Sequence, residues 1–170
     1  AVSMAGPVTV SVTTPGGTAS AVGAFTYQKP SITTVAGNGA HASSGDGAAA
    51  TSASINQPHG VVVDSLGNVY VADQVGNRIR KIIHDSGNIT TIAGDGNAVS
   101  TGDGGLATAA SLHGPTGLAM DSNGNLYIAD NGNNVVEKVT PSGTLSVVAG
   151  TGSSGAPTPG PATASREGGG

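Results

Sequence analysis

The sequence predicts an all-β protein built from repeated four-stranded antiparallel units, and three observations carry that prediction. Residues 58–83 return as residues 115–139, with matched positions 57 apart, as Pro115 is from Pro58; a period of that size marks a propeller or solenoid rather than one globular unit. The composition is extreme, with 29 glycines among 170 residues, 9% charged and 2% aromatic, which suits many short strands and turns and does not suit helices. Short apolar runs are punctuated throughout by Gly, Asn, Asp and Ser, the residues that tight turns require.

The first segment, residues 1–30, stands apart from the repeats. Residues 7–14 (P-V-T-V-S-V-T-T) alternate apolar with small polar side chains, as a half-buried strand does. Pro15, Gly16 and Gly17 supply a turn, and residues 22–27 read as a second strand ended by Pro30. The pattern V-T-V-x-T-P-G-G-T-x-S-A-x-x-F-T-Y resembles the last hairpin of IPT/TIG domains, which are immunoglobulin-like modules. The resemblance covers only the tail of such a module. Two strands cannot close a sandwich, so this piece is expected to take its remaining strands from elsewhere.

From Ile32 each unit follows one grammar. A strand over 32–36 leads into a Gly/Ser/Ala loop containing S-G-D-G; strands over 61–64, 69–72, 78–83 and 89–93 follow, separated by short turns. Four consecutive antiparallel strands per unit make one propeller blade. The first two are nearly all apolar, as expected of strands covered on both faces by neighbouring blades, and the third is mixed, as expected nearer the rim. The motifs A-G-x-G, S-G-D-G, P-x-G-[VL]-[VA]-x-D-S-x-G-N-[VL]-Y-[VI]-A-D and G-N-[RN]-[IV] resemble the NHL repeat, the blade of a β-propeller family usually closed at about six blades. The resemblance covers about residues 32–150.

The expected organisation is therefore a C-terminal IPT/TIG-like hairpin over 1–30, NHL-type blades over 31–152, and a Gly/Pro/Ser-rich tail or degenerate third-repeat loop over 153–170. Two blades are complete and a third is begun, too few to close a ring. Either the chain is a window on a longer polypeptide, or neighbouring chains complete one another, and completion that does not close generates a fibre.

Composition excludes several functions. A net charge of −4 supplies no basic field for a phosphate backbone, so nucleic acid is not an expected partner. Arg78, Arg80 and Lys81 cluster in the third strand, but the second copy has Val135 and Glu137 in place of the two arginines; the cluster reads as a solvated strand edge. The absence of cysteine rules out disulfides, thiol catalysis and Cys-ligated metals. No apolar run is long enough to span a bilayer. The low charge and abundant small residues point to an extracellular or cell-surface protein, of bacterial or archaeal source.

Few residues could carry chemistry. Asp64, Gly67 and Asn68, with their counterparts Asp121, Gly124 and Asn125, have the spacing of a hairpin turn whose Asp accepts backbone N–H groups while the glycine takes a left-handed conformation. Asp73 and Asp130 end the A-D pair before the next turn and read the same way. Asp46 and Asp103, each between glycines, are the calcium candidates, although one carboxylate per loop is poor coordination for an ion wanting about six to eight oxygens, and a self-satisfied Asx turn is the competing reading. Propeller lyases of the peptidylglycine class place zinc in the central channel with histidines from several blades. His59, in P-H-G at the entry to an inner strand, lies near where such a channel would open and is the zinc candidate, but its counterpart in the next blade is Thr116.

These readings converge on a non-enzymatic scaffold without a required cofactor, which self-associates by strand or blade completion or presents a rigid surface to protein or glycan. The alternatives are a metal- or ligand-binding propeller with lyase-like activity, and one part of a larger multidomain surface protein.

Overall fold

Alternation in the first segment produces a two-stranded antiparallel sheet, β1 (Pro7–Thr14) with β2 (Gly17–Thr26). The computed structural model describes residues 7–26 and 31–153, and its contacts divide the chain into two units, Ala1–Thr33 and Thr34–Gly170. In the first unit Thr14 pairs with Gly17 and Thr13 with Thr18, leaving only Pro15 and Gly16 to turn. The second strand therefore starts at Gly17 rather than at 22, because so short a turn fixes the register of the residues beside it. Tyr27 and Pro30, expected to finish this hairpin, lie outside the described residues, as does most of the 153–170 tail.

The second unit holds two four-stranded antiparallel sheets in simple up-and-down order. The first blade is β3 (Pro58–Val63), β4 (Val69–Asp73), β5 (Arg78–Ile82) and β6 (Ile89–Ala93). The second is β7 (Pro115–Met120), β8 (Leu126–Asp130), β9 (Val135–Val139) and β10 (Leu145–Ala149). The protein is thus all-β, with two propeller blades and no closed ring among the described residues. Registers repeat as well: Val62 faces Tyr70 in the first blade and Ala119 faces Tyr127 in the second.

The core lies between the blades. Tyr70, Ala72 and Ile79 pack with Leu126, Ile128 and Val139, and with Leu112 of the connecting loop. Burying an aliphatic side chain of this size contributes about 1.5–3 kcal/mol, and this cluster is the larger of the two cores among the described residues. A smaller cluster, Val71, Ile82 and Ile89, is covered by Ala50 and Ala53 of the loop that precedes the first blade.

The S-G-D-G loop and its counterpart T-G-D-G (Thr101–Gly104) each fold back on the outer strand of their own blade. Gly47 N–H donates to Ile89 C=O at 2.8 Å and Ile89 N–H to Ala48 C=O at 3.0 Å; Gly104 and Leu145 repeat the first bond at 2.9 Å. Gly45 (φ 92°) permits this course, since a Cβ there would lie 2.7 Å from that of Ala53. The loops thereby cover one end of an otherwise open strand edge.

Two expectations are corrected. Residues 32–36 form no strand; their likeness to β6 is local, and no strand lies beside them among the described residues to complete a ladder, so Ile32 is fully exposed. Nor are the inner strands covered on both faces. Val61 and Val63 of β3 are 62% and 57% exposed, because no described blade precedes the first, whereas their counterparts Leu118 and Met120 pack against the inter-blade core.

Candidate functional site

The turns between the first two strands of each blade are built alike. Asp64 Oδ1 accepts the N–H groups of Leu66 (3.0 Å) and Asn68 (2.9 Å), while Oδ2 accepts Asn68 Nδ2 (2.7 Å) and the Tyr70 hydroxyl (3.1 Å). Asp121 takes the same four bonds from Asn123, Asn125 and Tyr127 at 2.8–3.2 Å. Gly67 and Gly124 sit at φ 84° and 80°. For Asp64 burial acts upward, but the bonds from Asn68 and Tyr70 outweigh it and hold the carboxyl below its ordinary value. For Asp121 the bonds from Asn125 are the leading cause of the same lowering. With both oxygens engaged, these aspartates have little left to offer a ligand.

The third strands differ. In the first blade Arg80 is 1% exposed, which corrects its reading as part of a solvated edge. Its Nη2 donates to Asp46 Oδ1 (2.6 Å) and to Ser44 C=O (3.1 Å); Nη1 approaches Asp73 Oδ2 at 3.5 Å and Ser54 C=O at 3.4 Å. Asp73, wholly buried, also accepts Asn56 N–H (2.9 Å), Gly76 N–H (3.2 Å) and the Ser43 hydroxyl (2.6 Å). Burial acts upward on Asp46, and hydrogen bonds from Thr91 and Arg80 overcome it to leave the carboxyl lowered. The guanidinium thus ties the S-G-D-G loop to the sheet, a bidentate-capable cation holding two carboxylates at once.

Glu137 occupies the matching position in the second blade. It is 2% exposed, and its Oε2 has no hydrogen-bond partner among the described residues. Burial, followed by the negative charges of Asp130 and Asp103, pushes its carboxyl up to about 8. The surroundings have changed in step. Where the first blade has Gly76, the second has Asn133, whose Nδ2 donates to Asp130 Oδ2 (2.7 Å) and Val99 C=O (3.0 Å). A side chain at Gly76 would collide with Asp73 and Ser43. Asp130 also accepts His113 N–H (2.9 Å), and burial raises its carboxyl despite these bonds. Asp103 accepts Val147 N–H at 2.9 Å.

The remaining candidates are dispersed. His59 is exposed at the start of β3, on a groove of about 1060 Å³ that His41, Ile55, Val61 and Val71 also line. Among the described residues no three His, Asp or Glu side chains gather at a spacing that would hold a metal ion. Sequence reasoning missed the Arg80 socket and Glu137. The available signal was the exchange of Arg for Glu between copies that keep both aspartates, Asp46 with Asp103 and Asp73 with Asp130.

Comparison with known proteins agrees with the repeat. The family model described as "Teneurin NHL domain" matches residues 31–101 and again residues 95–167. Teneurin-1 of Gallus gallus is 38% identical over 112 residues, which is 62% of this chain and 4% of that protein. This chain therefore spans only a small part of its relative's length. The chicken relative lends no support to a bacterial or archaeal source. Among solved structures, a protein of unknown function from Bacteroides thetaiotaomicron superposes with a TM-score of 0.49 at 27% identity, over 58% of this chain and 23% of that one. Virginiamycin B lyase from Staphylococcus aureus superposes at 0.39 and 23% identity, over 53% and 26%. Both superpositions are partial.

Proposed function

The chain belongs to the Teneurin NHL domain family, and on that premise we propose that it is a non-enzymatic, extracellular or cell-surface scaffold that associates through the faces of its blades. The observation that carries this reading is the uncovered face of β3. Val61 and Val63 are exposed there, while the repeat-related Leu118 and Met120 are packed by the first blade. The opposite face of the second blade is open in the complementary sense: Tyr127 and Ala129 are partly exposed where Tyr70 and Ala72 are buried. The interface already present inside the chain is the template for the one outside it. A second copy, offering its second-blade face to the first-blade groove, would repeat that packing head to tail and give a ring if the rotation closes or a fibre if it does not.

Within this reading residues 1–30 are the tail of an IPT/TIG-like module, residues 31–152 carry the blades, and residues 153–170 are a Gly/Pro/Ser-rich tail. Asp64, Asp73, Asp121 and Asp130 serve the turns. Other proteins or glycans are further partners for the same rigid surface; nucleic acid is not.

Sedimentation of this chain over a dilution series tests the proposal. Assemblies that dissociate on dilution, and that are lost in the double variant Val61→Asp, Val63→Asp, are the expected result. A monomer that is folded at every concentration would overturn self-association.

A further inference from the structure

The two blades present the same socket with opposite contents. In the first, Asp46 and Asp73 close on the guanidinium of Arg80 at 2.6 and 3.5 Å. In the second, Asp103 and Asp130 stand at the matching repeat positions, and Glu137 takes the place of the cation. Glu137 is almost wholly buried and one of its oxygens is unpartnered among the described residues. A buried ionised carboxylate without a partner costs several kcal/mol, and two further carboxylates add repulsion. Asp130 and Asp103 are the charges whose fields reach Glu137, and both are negative. His113 acts on Asp130 rather than on Glu137, and Lys138 is the next residue along β9, where alternation turns it to the other face.

We propose that Glu137 is a proton-binding site that latches the 101–111 loop onto the second blade: with the proton on, the loop closes over β9 and β10; with it off, an unpartnered carboxylate is buried opposite Val147, whose N–H the loop's Asp103 accepts, and the loop is released. The proton neutralises, in the second blade, the position at which Arg80 carries the cation in the first. The bonds that the latch governs are Gly104 N–H to Leu145 C=O (2.9 Å), Ala107 N–H to Gly143 C=O (2.8 Å) and Val147 N–H to Asp103 (2.9 Å). The first blade holds the equivalent bonds, Gly47 to Ile89 (2.8 Å) and Ala50 to Gly87 (2.9 Å), by a permanent charge.

The direction of the effect follows from linkage. The folded chain keeps the Glu137 proton up to about pH 8, against 4.5 for the ordinary carboxyl. Its contribution to stability is therefore complete below 4.5, declines as the pH rises from there, and is gone above about 8, with at most a tenfold change in the opening equilibrium per pH unit. Asp130, raised by burial, acts in the same direction.

Amide hydrogen exchange on the intact chain supplies the test, with the first blade as internal reference. The protection of Gly104 and Ala107 relative to that of Gly47 and Ala50 should fall about tenfold or more between about pH 6 and pH 9, and the fall should be absent in Glu137→Gln. The side-chain carboxyl 13C shift of Glu137 in the unmodified chain should titrate well above that of an exposed glutamate. A protection ratio that does not vary with pH, the same fall in Glu137→Gln, or a Glu137 carboxyl that titrates near 4.5 would each overturn the proposal.

Discussion

The two blades share a backbone register and a turn design, yet they balance their third strand in opposite ways. In the first, a buried cation lies between two carboxylates; in the second, a buried carboxyl lies near two others, with an amide from Asn133 holding one of them. The comparison teaches that the sheet of a blade tolerates either sign of charge at this position, provided the groups around it change together. Arg80 with Gly76, and Glu137 with Asn133, are two solutions to one requirement, that a wholly buried aspartate at the end of the second strand be satisfied. The first solution carries its positive charge on a guanidinium that donates to both carboxylates. The second depends on a proton.

The largest effect is expected from breaking the first solution. Arg80→Ala leaves Asp73 buried without its cation and is expected to cost about 3–5 kcal/mol, measured as a fall in the urea midpoint at constant slope. Truncating the turn aspartates should sharpen the comparison by showing what the blades have in common. Asp64→Ala and Asp121→Ala each remove four hydrogen bonds and are expected to lower the urea midpoint by similar amounts, less than Arg80→Ala does. Because both carboxyls are held below their ordinary values, their stabilisation is present above about pH 4 and is lost as the pH falls through the folded-state values; thermal unfolding at acid pH reads this. That acid limb is opposite in sign to the alkaline decline assigned to Glu137, so the two are separable in one pH series. The smallest effect belongs to Asp46→Asn. Asp46 is 49% exposed on the other side of the Arg80 pair, and an amide oxygen still accepts from the guanidinium, so a loss within about 1 kcal/mol is expected by equilibrium unfolding.

The repeat and the four strands of each blade were legible in the sequence because each rests on short-range chemistry. Asp64, Gly67 and Asn68 sit close enough together that spacing alone implies their bonds. The segment 32–36 was misread for the same reason: its side chains match those of β6, but a strand exists only where a ladder partner does, and that is not a local property. Arg80 and Glu137 were illegible in a different way. Charged residues are normally exposed, and the R-I-R-K pattern of β5 places an arginine and a β-branched residue on opposite faces without saying which face meets protein. Only the loop, arriving from more than thirty residues upstream, decides that. The open groove beside β3 was half legible, since two blades cannot close a ring, but the exposure of Val61 and Val63 needed the structure.

The fold-back of each G-D-G loop onto its own outer strand has a genetic consequence. The fastener and the strand it fastens lie in one cassette, 57 residues from the loop that begins near Gly37 to the strand that ends at Ala93, and one residue fewer from Gly94 to Ala149. An in-frame duplication or deletion cut at those junctions copies or removes both halves together. A gene for such a chain can therefore gain or lose whole blades by unequal crossover without ever separating a strand from its clasp, whereas a crossover inside the cassette strands one without the other.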